Sequence, residues 1–160
     1  VTFALIREDL LGKVDRHIPT MLDYRTHISK ESMFNTPPVV AVYGALQTLK
    51  WLKENGGLKA MEKRNIEKAT ILYDEIERNK LFKAAIANPE DRSLMNICFY
   101  MNEAYQELEK DFNDFASARG IVGIKGYRTV GGFRASTYNA LPKESVQVLV
   151  DAMKEFEAKY

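Results

Sequence analysis

Two arginines of this chain, Arg128 and Arg134, stand six residues apart on either side of the pair Gly131-Gly132. The guanidinium group of arginine binds carboxylates and phosphates through two parallel hydrogen bonds. An extended chain would hold the two side chains roughly 20 Å apart, too far for both to bind one small anion. A bend at the glycines would bring them together, because glycine adopts backbone angles closed to other residues. The spacing therefore predicts either a site for a small ligand with two anionic ends or a hairpin with two solvated arginines.

A second polar pair, Asn35 and Thr36, stands directly before Pro37 and Pro38. A capping side chain followed by proline in the first turn is typical of a helix start. The exposed N–H groups at such a start attract anions, and both side chains can donate further hydrogen bonds. The pair is therefore predicted to be either a plain helix cap or part of an anion site.

Net charge and composition disfavour two classes of partner. The 160 residues are 46% apolar and 28% charged, which is ordinary for a globular protein, and the formal net charge is +1. A chain of this charge has no broad electrostatic attraction to nucleic acid or to an anionic membrane surface. No run of residues approaches the roughly 18 apolar residues of a membrane span. We therefore expect neither nucleic acid nor a membrane as a partner.

Metal and thiol chemistry are not expected either. His17 and His27 lie in irregular chain without a nearby cysteine, so the clustered ligands of known metal sites are missing. Cys98 is the single cysteine and cannot form an internal disulfide, which favours a reducing compartment, the cytoplasm. Because it lies in an apolar run, its thiol is predicted to be inert packing in a core strand. Lys and Glu alternate over 53–68, which predicts a solvated helix face.

The first half of the chain is predicted to contain one strand and two helices. The apolar run over residues 1–6 predicts a buried strand that begins at the first residue of the chain. Such a start indicates either a piece of a longer protein or trimmed ends. Residues 13–35 have few periodic features. A helix over 39–55 is apolar on most faces, as expected for a helix buried between domains or subunits. The apolar stripe of the next helix, over 58–79, consists of Ile66, Ala69, Tyr73 and Ile76.

From residue 81 onward the predicted order is strand, strand, helix, strand, strand, helix. The strands are predicted over 81–87, 94–101, 121–125 and 133–138, and the helices over 103–119 and from Pro142 onward. Helices on one face of a small, mostly antiparallel sheet make an α+β fold. Gly120, Gly123 and Gly126 lack the Lys-Ser/Thr ending of a phosphate loop, so they are interpreted as a helix cap, a strand position and a turn.

Four ordered segments resemble the phosphoserine aminotransferase family. They read HIPTMLDY over 17–24, SMFNTPP over 32–38, LKWLKENGG over 49–57 and GGFRASTYNA over 131–140. The family has the fold-type-I architecture of pyridoxal phosphate (PLP) aminotransferases, with a large cofactor-binding domain and a small C-terminal domain. The resemblance implies that residues 1–35 end the large domain, that 36–57 form an inter-domain helix, and that 58–160 form the small domain.

The resemblance also implies where the catalytic lysine lies. In the family the Schiff-base lysine belongs to a Lys-Asn-x-Gly-Pro-x-Gly segment directly before the strand that matches residues 1–6. No lysine of this chain has that context. We therefore expect the lysine upstream of Val1, no catalytic residue within this chain, and no activity of this chain alone.

The resemblance further implies an enzyme of serine biosynthesis that moves an amino group between glutamate and 3-phosphohydroxypyruvate, giving phosphoserine and 2-oxoglutarate. Arg134 would bind the substrate α-carboxylate, and Arg128 would help bind the phosphate or the distal carboxylate. Asn35 and Thr36 would reach the PLP phosphate of the neighbouring subunit, which implies a homodimer. Many members have a histidine before the first arginine; here Tyr127 stands there and brings a hydroxyl without positive charge. The alternative from the residues alone is a stand-alone, non-catalytic α+β module that binds small dianions.

Overall fold

The computed structural model describes all residues, Val1–Tyr160. The chain divides into two compact units, Val1–Asn55 and Gly56–Tyr160. The boundary falls between the helix predicted over 39–55 and the one predicted over 58–79. The assignment of residues 1–35 to a large domain and of 36–57 to an inter-domain helix stays a prediction.

The first unit contains little regular structure. Its helices are α1, Tyr24–Ile28, and α2, Val39–Glu54, and short 3₁₀ turns lie at Glu8–Leu10 and Thr20–Leu22. The Asp23 carboxylate caps α1 by accepting a hydrogen bond from the backbone N–H of Arg25. No residue of this unit is buried. The unit therefore has no hydrophobic core of its own.

The second unit contains three long helices and a sheet. The helices are α3, Gly57–Arg78; α4, Glu109–Ser117; and α5, Lys143–Glu157. Before α3, Gly56 has a φ of 92°, a left-handed conformation that glycine adopts without strain. Pro142 stands directly before α5, where a missing N–H leaves no helical hydrogen bond unmade. None of the helices in the chain is long and apolar enough to span a bilayer.

Three antiparallel strands form the sheet, in the order β1-β2-β3. They are β1, Phe82–Ala84; β2, Asn96–Met101; and β3, Phe133–Ser136. Buried and half-buried residues alternate along β2, as the two-residue period of a strand requires. The inward-facing side chains of β2 are Ile97, Phe99 and Met101. The sheet therefore has one core face and one outer face, and the predicted central strand is confirmed.

One hydrophobic core joins the inward face of the sheet to the three helices. Phe112 lies at its centre, with ring centroids 4.8 Å from Phe82, 5.2 Å from Phe133 and 5.2 Å from Phe156. The α5 side chains in the core are Val146, Leu149, Val150, Met153 and Phe156. The predicted α+β fold, with helices packed on a small antiparallel sheet, is confirmed.

One prediction in the first unit is wrong, and one is confirmed only in part. Residues 1–6 form no strand, because no neighbouring strand is present to pair with their N–H and C=O groups. The helix predicted over 39–55 is present as α2. Within this chain none of its residues is buried, and Val40 is 85% exposed, so its burial between domains or subunits stays a prediction. Burial requires a second surface, and periodicity in the sequence does not specify whether this chain supplies one.

Three predictions in the second unit need correction. Ile66 is 46% exposed, because the polar residues Asn65 and Lys68 occupy the buried face of α3 at this level. Residues 121–125 form only one bridge, from Lys125 to Phe133, because Gly123 has a φ of 76° and breaks the extended conformation. Cys98 lies in β2 as predicted, but it is half-buried and faces away from the core.

Candidate functional site

The segment that carries the two arginines folds back on itself. The backbone N–H of Arg134 donates to the carbonyl of Ile124 at 2.7 Å, and the N–H of Gly126 donates to the carbonyl of Gly132 at 2.8 Å. Within the loop, the N–H groups of Val130 and Gly131 both donate to the carbonyl of Tyr127. Arg128 therefore lies in the turn, and Arg134 lies on the strand that leaves it.

Glycine is required at the closure of this loop. Gly131 has a φ of 76° and Gly132 a φ of 65°, both in the left-handed region. A Cβ at Gly126 would overlap the carbonyl oxygen of Gly131, and a Cβ at Gly132 would lie 2.8 Å from the carbonyl oxygen of Phe99 and overlap the ring of Tyr100. The bend predicted at the glycine pair is confirmed for the backbone. That the two guanidinium groups converge on one ligand stays a prediction.

Arg134 projects from the outer face of the sheet. Its neighbours on β3, Phe133 and Ala135, are buried, whereas Arg134 is exposed. Cys98 and Tyr100 lie on the same outer face of β2, because they alternate with the inward-facing residues. The strand thus anchors the arginine through a buried residue on each side and presents its charge to solvent.

The guanidinium groups of Arg128 and Arg134 make no ion pair or hydrogen bond within the chain. By contrast, three other arginines of the same unit pair with carboxylates: Arg78 with Glu75 and Glu157, Arg92 with Glu77, and Arg119 with Glu155. An arginine without a carboxylate keeps its full capacity for a bidentate anion. The loop and the strand that leaves it therefore carry one cation each, and the hydrogen-bond donors of both are available.

Tyr127 and a shallow groove border the loop. Tyr127 is 67% exposed, so its hydroxyl is accessible as a donor, while its carbonyl closes the turn. A groove of about 730 Å³ lies beside Gly131 and Gly132, and its polar lining comes from Lys83, Tyr100, Gln106 and Glu109. The groove is open and polar, but neither Arg128 nor Arg134 lines it.

Asn35 and Thr36 belong to the first unit and do not cap α2. The helix begins at Val39, with Pro38 at the cap position and no side-chain cap. Both residues are exposed, and the Asn35 amide nitrogen lies 3.5 Å from the sulfur of Met21. The two prolines separate the pair from the helix, which is why the predicted cap is wrong. The hydroxyl of Thr36 and most of the donor capacity of Asn35 remain available.

Sequence reasoning missed one charged residue, Lys68, which the alternating Lys and Glu pattern had placed on a solvated face. Lys68 is 2% exposed. Its ammonium group donates to the carbonyls of Thr137, Tyr138 and Leu141 at 3.0, 2.7 and 3.2 Å. Burial lowers the pKa of this amine. No local sequence signal distinguishes it from its exposed neighbours, because the acceptors lie about seventy residues away.

No group of three or more His, Cys, Asp and Glu side chains is placed to hold a metal ion. His27 instead places its Nε2 atom 3.0 Å from the carbonyl of Met21. The candidate donors for an anion are the guanidinium groups of Arg128 and Arg134 and the Tyr127 hydroxyl in the second unit and, separately, the Asn35 amide and the Thr36 hydroxyl in the first unit.

The fold agrees with the comparisons with known proteins. The sequence profile of the family described as Aminotransferase class-V matches residues 1–149. The chain belongs to that family. Phosphoserine aminotransferase from Parabacteroides distasonis is 64% identical over all 160 residues, which cover 45% of its length. The enzyme of the same name from Porphyromonas gingivalis is 62% identical over 159 residues, which cover 99% of this chain and 44% of that protein.

Solved structures show the same similarity to phosphoserine aminotransferases. Phosphoserine aminotransferase from Bacillus circulans subsp. alkalophilus superposes with a TM-score of 0.85 at 41% identity, covering 96% of this chain and 42% of that one. The PLP-bound phosphoserine aminotransferase from Trichomonas vaginalis superposes with a TM-score of 0.82 at 42% identity. The match covers 93% of this chain and 42% of that one. The resemblance to phosphoserine aminotransferases is confirmed, and a stand-alone binding module is not favoured. The chain spans less than half the length of the curated relatives it matches.

Proposed function

We propose that this chain supplies the substrate-binding region of a phosphoserine aminotransferase. The complete enzyme would transfer an amino group between glutamate and 3-phosphohydroxypyruvate, giving phosphoserine and 2-oxoglutarate in the cytoplasm. The observation that carries the proposal is the bent loop with two guanidinium groups that have no carboxylate partner. Both substrates of such an enzyme carry an anionic group at each end, which suits one arginine in the loop and one on the strand that follows it.

The two arginines have different parts in this proposal. Arg134 lies on a hydrogen-bonded strand, so its position is well defined, and it would bind the α-carboxylate that both substrates share. Arg128 lies in the turn, where it can follow ligands of different length, and it would bind the phosphate or the distal carboxylate. Tyr127 would donate a hydrogen bond from its hydroxyl to the same distal group.

The cofactor of this proposal is PLP, which supplies the electron sink for amino transfer when it is bound. Asn35 and Thr36 would donate hydrogen bonds to its phosphate from the neighbouring subunit of a homodimer. Both side chains are exposed, and the hydroxyl of Thr36 is unpaired, so the donor set fits an anionic group. Arg128 and Arg134 would orient the substrate against that cofactor.

The test is Arg134→Lys in the full-length enzyme. Lysine keeps the charge and the aliphatic stem but cannot form the bidentate pair of hydrogen bonds to a carboxylate. We therefore expect KM for glutamate and for phosphoserine to rise by about tenfold or more. Because Arg134 makes no ion pair within the chain, Tm should change little. A loss of Tm without a change of KM would contradict the assigned role.

Arg119→Lys is the matched control. Arg119 pairs with Glu155 and lies over the ring of Phe115, so its role is structural. We expect this variant to lower Tm and to leave KM unchanged. The opposite behaviour of the two variants would separate substrate binding from stability.

A further inference from the structure

The buried ammonium group of Lys68 has no carboxylate partner. Its three hydrogen bonds go to backbone carbonyls of the segment 137–141, which joins β3 to α5. A buried charge without a counter-charge is unfavourable unless hydrogen bonds compensate its lost hydration, and here only backbone carbonyls do so. The charge is therefore best explained by what it does to the three carbonyls.

Three carbonyl oxygens that point at one centre repel one another unless a donor lies between them. An ammonium group has three donors and can satisfy all three oxygens at once. The conformation of the segment 137–141 therefore depends on Lys68. Asn65, one turn earlier on α3, adds a hydrogen bond from its amide nitrogen to Asn139 at 2.8 Å, although its own Oδ1 atom remains without a partner.

The same segment is also attached to β2. The N–H of Thr137 donates to the carbonyl of Met95 at 2.8 Å, and its hydroxyl donates to the carbonyl of Leu94 at 3.1 Å. Thr137 thus lies between α3 and the start of the central strand. It directly follows β3, whose four residues include Arg134.

We propose that Lys68 is a positioning residue for Arg134: by holding the segment 137–141 against α3, it sets the course of β3 and hence the direction of the arginine. A strand of four residues has few hydrogen bonds with which to resist tilting. One end of β3 is attached to the glycine loop, and the other end is attached through Thr137 and Lys68. This inference rests on the proposed role of Arg134 in substrate binding.

The experiment compares Lys68→Met with the parent in the full-length enzyme. Methionine fills a similar volume without donors. We expect KM for glutamate and phosphoserine to rise about fivefold or more, with a smaller change in kcat, because misplacing a binding group weakens its contacts. Hydrogen exchange of the Arg134 and Thr137 amides should become faster.

Leu72→Ala is the matched control. Leu72 lies one turn further along α3 and is completely buried in the core, and its side chain has no donor for the carbonyls of the segment 137–141. The Leu72→Ala variant should have a lower Tm and an unchanged KM, since KM does not depend on the fraction of folded enzyme. If Lys68→Met also lowers Tm without raising KM, Lys68 has only a structural role and the proposal is overturned. If Lys68→Met does not fold, Lys68→Gln, which keeps two donors, is measured by the same criteria.

Failure of the proposed role of Arg134 and failure of the proposed role of Lys68 give different results. If Arg134→Lys leaves KM unchanged, the proposed function of the arginine is wrong, whatever Lys68 does. In that case the exchange rates decide the remaining claim: unchanged protection of the Arg134 and Thr137 amides in Lys68→Met would show that Lys68 does not hold β3.

Discussion

Cys98 and Arg134 lie directly opposite each other across the β2–β3 ladder. The N–H of Arg134 donates to Ile124, and the carbonyl of Cys98 accepts from Ala85, so both residues turn their backbone groups away from each other. They therefore form a non-hydrogen-bonded pair, the kind in which opposite side chains come closest. The single thiol of the chain is thus a neighbour of the arginine proposed to bind substrate.

Alkylation of Cys98 should interfere with substrate binding. A maleimide or acetamide group on this thiol would occupy space beside the Arg134 side chain. We expect the modified full-length enzyme to have a raised KM, and phosphoserine to slow the modification. Both are measured by mass spectrometry of the labelled peptide and by steady-state kinetics.

Cys98→Ala provides the control, because it removes the reactive group and should keep KM within about twofold of the parent. Equal rates of alkylation with and without phosphoserine, together with an unchanged KM of the labelled enzyme, would show that the thiol and the ligand do not meet.

Gly132→Ala should be more damaging than Gly131→Ala. Both residues have positive φ, so alanine at either position brings backbone strain of about 1 to 2 kcal/mol. Only at Gly132 would the added Cβ also meet the ring of Tyr100 and the carbonyl of Phe99; at Gly131 the space is open. We expect the difference to appear in urea unfolding midpoints, with a larger rise in KM for Gly132→Ala. Equal effects of the two substitutions would mean that strain alone matters.

Glu157 should make stability depend on pH in the acid range. Burial raises its pKa, but hydrogen bonds from the backbone N–H of Lys80 and from Arg78 outweigh burial, so the pKa lies below the ordinary value of 4.5. A carboxyl whose pKa is lower in the folded state stabilises the protein above its unfolded pKa, and this contribution is lost as pH falls through the folded pKa. We expect Glu157→Gln to lower stability at pH 7 by about 1 kcal/mol and the difference to shrink below pH 4.5.

The measurement is the free energy of unfolding in urea between pH 3 and pH 7, about the range over which carboxylates titrate. Glu103→Gln is the control, because the Glu103 side chain is 86% exposed in its pair with Lys83 and should contribute almost nothing. Parallel pH profiles for Glu157→Gln and the parent would contradict the assignment.

Phe112→Ala should cause a large loss of stability. The ring contacts three other aromatic rings at the centre of the core and is completely buried. Removing it leaves a cavity, and such substitutions cost about 3 to 5 kcal/mol. Val122→Ala, at a position that is 81% exposed, should change stability by less than about 0.5 kcal/mol. Chemical unfolding of both variants checks the difference.

Much of the fold follows from local patterns in the sequence. The apolar run over 94–101 predicted the central strand, and helical spacing predicted α5 with its buried face, because burial of one face imposes a period on the side chains. Gly131 and Gly132 marked the bend between the arginines, since few other residues adopt their backbone angles. The family likeness likewise rests on short ordered segments that need no structure to be seen.

Tertiary contacts decided the rest. Lys68 is buried because its acceptors lie in a segment distant in sequence, and Ile66 is exposed because that polar contact sets the rotation of α3. Cys98 faces Arg134 rather than the core because strand register chooses the side of the sheet. Periodicity in a sequence shows which faces of a helix or strand are apolar. Only the packed structure shows which of these faces pack against another element and which charged side chains remain available to bind a ligand.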